Sequence, residues 1–217
     1  MSYSAASNTV WFRLYADSGP PPGMPDIPGV EYGLARGPAC GDLYDVFEAA
    51  PGHWRFAIGG VRGTGPEAAT AIDLTRHGPR LLAAEGHGVA VLTRLNRALV
   101  REDPHGRPMR LLHGELVHRP DTGVRLTLVS AGHPPPLRLT PGGAATPVTG
   151  GQPSLGGVGD LRFSEETLDL DPGDALLCTS EPPRCPDGDE TLSKLLTSGL
   201  RADAPADASA ALLLRVL

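Results

Sequence analysis

The hydrophobic pattern of this chain changes period twice, and that confines what it can fold into. Short apolar runs bordered by glycine and proline occupy residues 30–34, 43–47 and 54–58. Runs of that length with those borders predict strands in antiparallel succession. From Pro66 the period becomes helical. Pro66-Glu67-Ala68-Ala69 opens a helix with proline and an acid in its first turn, both favoured at that end. The pattern continues to Leu82, although Gly78-Pro79 is expected to kink or interrupt it. A second helix is expected over 88–101, with Val89, Leu92, Leu95 and Leu99 on one face. Strand-like runs return at 111–117, 124–131, 137–139, 163–170 and 175–179. A short helix at 190–196 and a last strand at 210–216 close the chain. Strands, two helices, strands, helix, strand is an α+β plan.

Composition narrows the class further. The 217 residues suit one domain, long enough to bury a core without disulfides or structural metal. Residues 1–25 read as an N-terminal extension, with an edge strand expected at 9–15 and a proline-rich connector at 18–25; residues 26–217 read as the domain. The 28 glycines and 23 prolines imply long loops, yet the aliphatic content is that of a packed core. A net charge of −6 argues against a nucleic-acid binder that relies on backbone attraction. No apolar run approaches a membrane span, and Met1-Ser2-Tyr3-Ser4 does not open a signal peptide. Cys40, Cys178 and Cys185 have no CxxC spacing and read as reduced thiols of a cytoplasmic protein. Eighteen arginines against the single Lys194 suggest a GC-rich bacterial source.

Six strings occur together in one order: Cys40-Gly41-Asp42-Leu43-Tyr44-Asp45, Gly59-Gly60-Val61-Arg62-Gly63-Thr64-Gly65-Pro66-Glu67, Leu95-Asn96-Arg97-Ala98-Leu99, Ala131-Gly132-His133-Pro134-Pro135-Pro136, Pro172-Gly173-Asp174-Ala175-Leu176-Leu177 and Leu212-Leu213-Leu214-Arg215-Val216. Together they resemble the bacterial PPM-type serine/threonine phosphatases of the SpoIIE/RsbU branch, relatives of protein phosphatase 2C. The resemblance covers roughly residues 26–217. It implies an α-β-β-α sandwich, two antiparallel sheets flanked by helices, with two Mn²⁺ or Mg²⁺ ions at one end. Such hard cations require oxygen donors and several carboxylates to offset their repulsion.

The metal set that the resemblance implies is incomplete. Asp42 matches one ligand position, and Asp207 matches the first acid of a late pair. The bridging position is Gly60, and the acid of a Thr-Asp-Gly string is Ser180 in Thr179-Ser180-Glu181. No two-metal centre is expected. Arg62 and Arg110 are by default solvated charges; the sharper expectation is that they occupy the emptied pocket and contact Asp42, Asp207 or a phosphate. Asp45 is expected to be structural, His133 to shape a turn, and Cys178 to be a buried small hydrophobe.

The reading is therefore a catalytically impaired pseudophosphatase that binds proteins in a sigma-factor partner-switching circuit. The resemblance implies as partner a phosphorylated STAS-type anti-anti-sigma regulator or a kinase, with no nucleic acid and no membrane. An active phosphatase with a rebuilt site stays open, with Glu181 lending a carboxylate and Asp42 with Asp207 holding one ion. So does a dimerisation module.

Overall fold

The computed structural model describes residues 25–35, 42–61, 66–102, 108–119, 122–142, 144–148, 150–180 and 211–217. The strands and helices follow in the order β1 (Val30–Ala35), β2 (Asp42–Ala50), β3 (His53–Val61), α1 (Pro66–Leu82), a 3-10 turn (Ala83–Glu85), α2 (Gly88–Glu102), β4 (Met109–Arg119), β5 (Gly123–Ala131), β6 (Leu137–Leu139), β7 (Ala145–Pro147), β8 (Glu165–Leu170), β9 (Ala175–Thr179) and β10 (Ala211–Val216). Two five-stranded antiparallel sheets result, ordered β2-β3-β4-β5-β8 and β1-β10-β9-β6-β7. The segments expected to form a strand at 9–15 and a helix at 190–196 lie outside the described residues. No described helix is long and apolar enough to cross a membrane.

Period-two alternation sends each strand of the first sheet to two cores. Val46, Phe56, Ile58, Leu112 and Leu126 face the second sheet, where they meet Leu176, Cys178, Leu212 and Leu214. Leu43, Ala57, Leu111 and Val129 face the helices and pack with Val91, Leu92, Leu95 and Leu99. Burial on both faces specifies register, because a slip of one residue would exchange the two cores.

Three expectations are corrected. First, β1 does not pair with β2; it joins the other sheet beside β10, with Val30 opposite Val216. The apolar run encodes a strand but not its neighbour, and Val30 and Tyr32 bury their side chains in the inter-sheet core. Second, α1 runs unbroken through Gly78-Pro79. Pro79 is buried, and a Cβ at Gly78 would stand 3.0 Å from Leu95 Cδ1. Close helix packing thus outweighs the single hydrogen bond that proline removes. Third, β8 starts at Glu165 rather than at Phe163. The Gln152 side chain takes both main-chain groups of Ser164, donating to its carbonyl at 2.9 Å and accepting from its N–H at 2.7 Å, while Phe163 enters the helix-side core. The three-residue β7 was not anticipated.

Polar anchors fix the helices to the sheet. Arg80 donates to both carboxylate oxygens of Asp45 at 2.7 Å and lies 4.9 Å over the Phe47 ring. Asp45 therefore has the structural role expected of it. Arg55 reaches from β3 to the carbonyls of Ala83 and Gly86, at 3.3 and 3.0 Å, and ties down the turn between the helices. Glu115 approaches the same guanidinium at 3.4 Å.

On α2, the buried Asn96 amide donates to Val158 O and Gly159 O at 2.7 and 3.1 Å, and its Oδ1 accepts from Gly156 N at 2.8 Å. One side chain thereby holds the strap of residues 155–160 to the helix. Replacing it removes three hydrogen bonds, each worth roughly 1 kcal/mol net. Asn96→Ala should therefore destabilise the fold by about 2–3 kcal/mol, read as a lower urea midpoint; an unchanged midpoint would refute the clamp.

His113 on β4 is fully buried beneath the start of α2, and neither ring nitrogen has a hydrogen-bond partner. A Cβ at Gly88 would stand 2.9 Å from Val129 Cγ2 and 3.0 Å from His113 Nδ1, so glycine lets the helix start close to both side chains. Burial, and then the nearby Arg55 charge, lower the imidazole pKa from 6.5 to about 3. Between those values the unfolded chain binds a proton that the folded chain refuses. The stabilisation is complete above about pH 6.5 and declines as pH falls toward 3. In urea titrations across that range, His113→Phe should flatten the pH dependence of unfolding; an unaltered slope contradicts this account.

Candidate functional site

Strand register brings three of the sequence-selected positions into one row. Asp42 on β2 lies opposite Gly60 on β3, and Gly60 lies opposite Arg110 on β4. Directly opposed residues present their side chains on the same face. The adjacent row, Leu43–Gly59–Leu111, belongs to the helix-side core through its two leucines. Alternation therefore turns Asp42, Gly60 and Arg110 toward the second sheet, one row beyond Ile58 and Leu112. With strands about 4.8 Å apart, the missing side chain at Gly60 leaves a gap between an acid and a guanidinium.

Ser180 approaches from the other sheet. It follows Cys178 by two residues, shares its face, and is fully buried. Its end of the sandwich can be traced. Leu217 N donates to Gly29 O at 2.9 Å, and a Cβ at Gly29 would stand 2.9 Å from His118 Nε2. The end of β10 thus lies by the end of β4. Because β9 runs antiparallel to β10, with Thr179 opposite Ala211, Ser180 emerges at the other end, where β4 begins with Met109 and Arg110. Asp42 and Arg110 are half-buried there, and Gly60 is buried. Arg110 is thus partly screened from solvent rather than fully exposed. Arg62, Glu181 and Asp207 lie outside the described residues.

The described part of this end holds one carboxylate, a hydroxyl, a glycine and a cation. Among the described residues no group of three or more His, Cys, Asp or Glu side chains could hold a metal ion. Two divalent cations need several anionic oxygens, and the described residues of this end supply one carboxylate, Asp42. The neighbouring candidates also lack nucleophilic character. Cys178 is buried, which pushes its thiol pKa upward. His133 is buried in the turn after β5, its Nδ1 2.7 Å from Pro134 O, in keeping with a turn-forming role. That turn requires Gly132, at φ +64°, where a Cβ would stand 2.1 Å from Ser154 Oγ.

One residue of local importance was not singled out in advance. A Cβ at Gly59 would stand 2.1 Å from Arg110 O, so β3 and β4 can pair beside the site only with glycine there. The cue available was the Gly59-Gly60 pair inside a strand, a mark of close backbone approach. Gly59→Ala should force the two strands apart next to Arg110, costing about 3 kcal/mol or more. A thermal midpoint equal to that of the unmodified protein would show that the strands yield freely.

Comparison with known proteins places this geometry. The family model described as stage II sporulation protein E (SpoIIE) matches residues 50–182, well over half of the chain. No curated protein matches it significantly in sequence. Among solved structures, it is similar to the RsbU and RsbW domains of a Mycobacterium tuberculosis protein, with TM-score 0.67 and 24% identity, over 89% of this chain and 61% of that one. RsbX, solved in complex with magnesium, gives TM-score 0.67 and 14% identity, over 89% and 98% of the two chains. The PP2C phosphatase domain of Bacillus subtilis SpoIIE, with a fragment of its regulatory domain, gives 0.66 and 15%, over 86% and 63%. The chain thus spans about three fifths of the first and third of these. With the family model and the sandwich in agreement, the chain belongs to the SpoIIE family and has the PPM-type, protein phosphatase 2C-like fold of the SpoIIE/RsbU branch.

Proposed function

We propose that residues 26–217 form a pseudophosphatase domain, a protein-binding module of the cytoplasm that works in partner-switching signalling without two-metal catalysis. The observation that carries this reading is the row Asp42–Gly60–Arg110. Where metal-dependent relatives need a bridging carboxylate there is no side chain, and a guanidinium stands in the next strand. The buried Ser180 adds a neutral hydroxyl from the opposite sheet. A permanent cation in that place neutralises acid and grips phosphate oxygens, but it cannot acidify a water as a metal does.

The partner we propose is a phosphorylated STAS-type anti-anti-sigma regulator, with a kinase as the other member of the same circuit. RsbU and RsbW domains in one M. tuberculosis protein support that class, as does a stressosome structure of the same fold, with TM-score 0.63 and 19% identity. In this reading Arg110 and Arg62 supply the phosphate contact, and Asp42 with Asp207 are vestiges of the metal set. Retention of Asp42 and the magnesium complex of RsbX favour the competing reading, an active phosphatase with a rebuilt site.

Titration calorimetry with Mn²⁺ separates the two. The proposal expects no binding tighter than about millimolar, and p-nitrophenyl phosphate hydrolysis equal to a buffer blank. Gly60→Asp with Ser180→Asp should restore measurable metal binding. Arg110→Ala should weaken binding of a phosphoserine peptide more than of its unphosphorylated form. Micromolar binding of two ions, or turnover abolished by Asp42→Ala, would establish the rebuilt site instead.

A further inference from the structure

The outer surface of the helix layer combines features that neither the core nor the sandwich end uses. Three large hydrophobic side chains stand out as exposed among the described residues: Leu81 at 75%, Val158 at 62% and Leu217 at 62%. Leu217 follows β10 and lies by Gly29, to whose carbonyl its N–H donates at 2.9 Å. The other two flank the same helix. Gly78 of α1 packs against Leu95 of α2, and Leu81, one turn further on, shares that flank. Val158 sits on the strap that Asn96 holds to the other flank of α2. Residues 95 and 96 point about 100° apart around a helix, so α1 and the strap meet α2 on different flanks and leave the wide remaining arc uncovered by either.

Between them runs the solvent face of α2. Arg94, Arg97 and Arg101 are spaced at i, i+3 and i+7 along it and are exposed. Glu102, the only acid of this 15-residue helix, lies 3.5 Å from its neighbour Arg101, an exposed contact that leaves the ridge net basic on a chain whose net charge is −6. A basic ridge between two exposed aliphatic side chains is a local reversal of the protein's overall charge. The strap bearing Val158 is also preorganised. Asn96 gives it three hydrogen bonds, and Met109 and Leu155 exchange two backbone bonds of 2.9 Å at its base. An apolar group held out to solvent by a buried amide contributes little to the core, but it loses little entropy on association.

We propose that this face, Arg94, Arg97 and Arg101 between Leu81 and Val158, is a protein-docking surface separate from the sandwich end. Its occupant is an acidic amphipathic segment of a partner protein. Charge complementarity selects that class: carboxylates pair with the ridge, while apolar residues cover Leu81 and Val158. Three arginines on an acidic chain are too few for nucleic acid held by backbone attraction.

The test uses the full chain and a fluorescein-labelled amphipathic peptide with glutamates on one helical face and leucines on the other. A lysine counterpart and a short DNA duplex serve as controls, and binding is read by anisotropy. The glutamate peptide should bind, and the lysine peptide should not. Arg97→Glu with Arg101→Glu should weaken binding about tenfold or more, as should Leu81→Ser with Val158→Ser. Each variant should keep the parental thermal midpoint, since all four side chains are exposed. Arg110→Ala should leave this binding unchanged, which separates the surface from the proposed phosphate contact. No binding of the glutamate peptide, equal binding of the lysine peptide, indifference to both double variants, or tighter binding of the duplex would overturn the proposal. So would self-association of the chain, seen by sedimentation, that the same double variants abolish, because the occupant would then be a second copy.

Discussion

The register of β2, β3 and β4 is the constraint on which the sandwich end depends. These strands carry apolar side chains toward both the second sheet and the helices. Slipping any of them by one residue would send leucines to the wrong layer and polar groups into both cores. That energetic penalty holds Asp42, Gly60 and Arg110 in one line, with no direct bond among them required to set it. Gly59 serves the same end from the other face, since its missing Cβ lets the Arg110 carbonyl approach. The site is thus a by-product of packing, and its chemistry is decided by which residues happen to occupy a row that packing has already aligned.

Electrostatics then determines what such a row can do. Carboxylates gathered at the end of a sandwich repel one another unless cations intervene. A two-metal enzyme supplies those cations from solution. Here one acid and a guanidinium occupy the row across a glycine, so charge balance is written into the covalent chain. On the proposed reading, the consequence is a loss of the Lewis acid, not of the architecture. Fold and activity can part in this way because the sandwich is stabilised by its apolar layers, whereas catalysis rests on a few side chains at their margin.

Helix α2 links the remaining features. Its first residue, Gly88, lies against His113. Its middle holds α1 through Leu95 and Gly78, and holds the strap through Asn96. A single buried amide orients a surface loop whose base pairs with Met109, the residue before Arg110. The helix layer and the sandwich end are therefore joined by a short strap, bonded to Met109 at its base and to Asn96 along its length, while their exposed faces carry different chemistry.

Much of this was legible in the chain itself. Period-two and period-3.6 patterning located the described strands except β7, together with both described helices, and the α+β class followed from their order. The ordered strings identified the family, and the same resemblance implied that Gly60 and Ser180 stand where metal-binding carboxylates would be expected. What the sequence could not supply was partnership. The run that forms β1 looks the same whether it pairs with β2 or β10, because a strand's apolar alternation records burial and not its neighbour. The proline in α1 looked like an interruption because the closeness of Leu95 to Gly78 is invisible along the chain. Asn96, His113 and the ridge of α2 owe their roles to groups far away in sequence. Local propensity and pattern are properties of neighbouring residues, so the chain alone determines its elements and its family. Register, burial and charge pairing arise between distant segments, so only the tertiary structure decides which residues stand opposite one another.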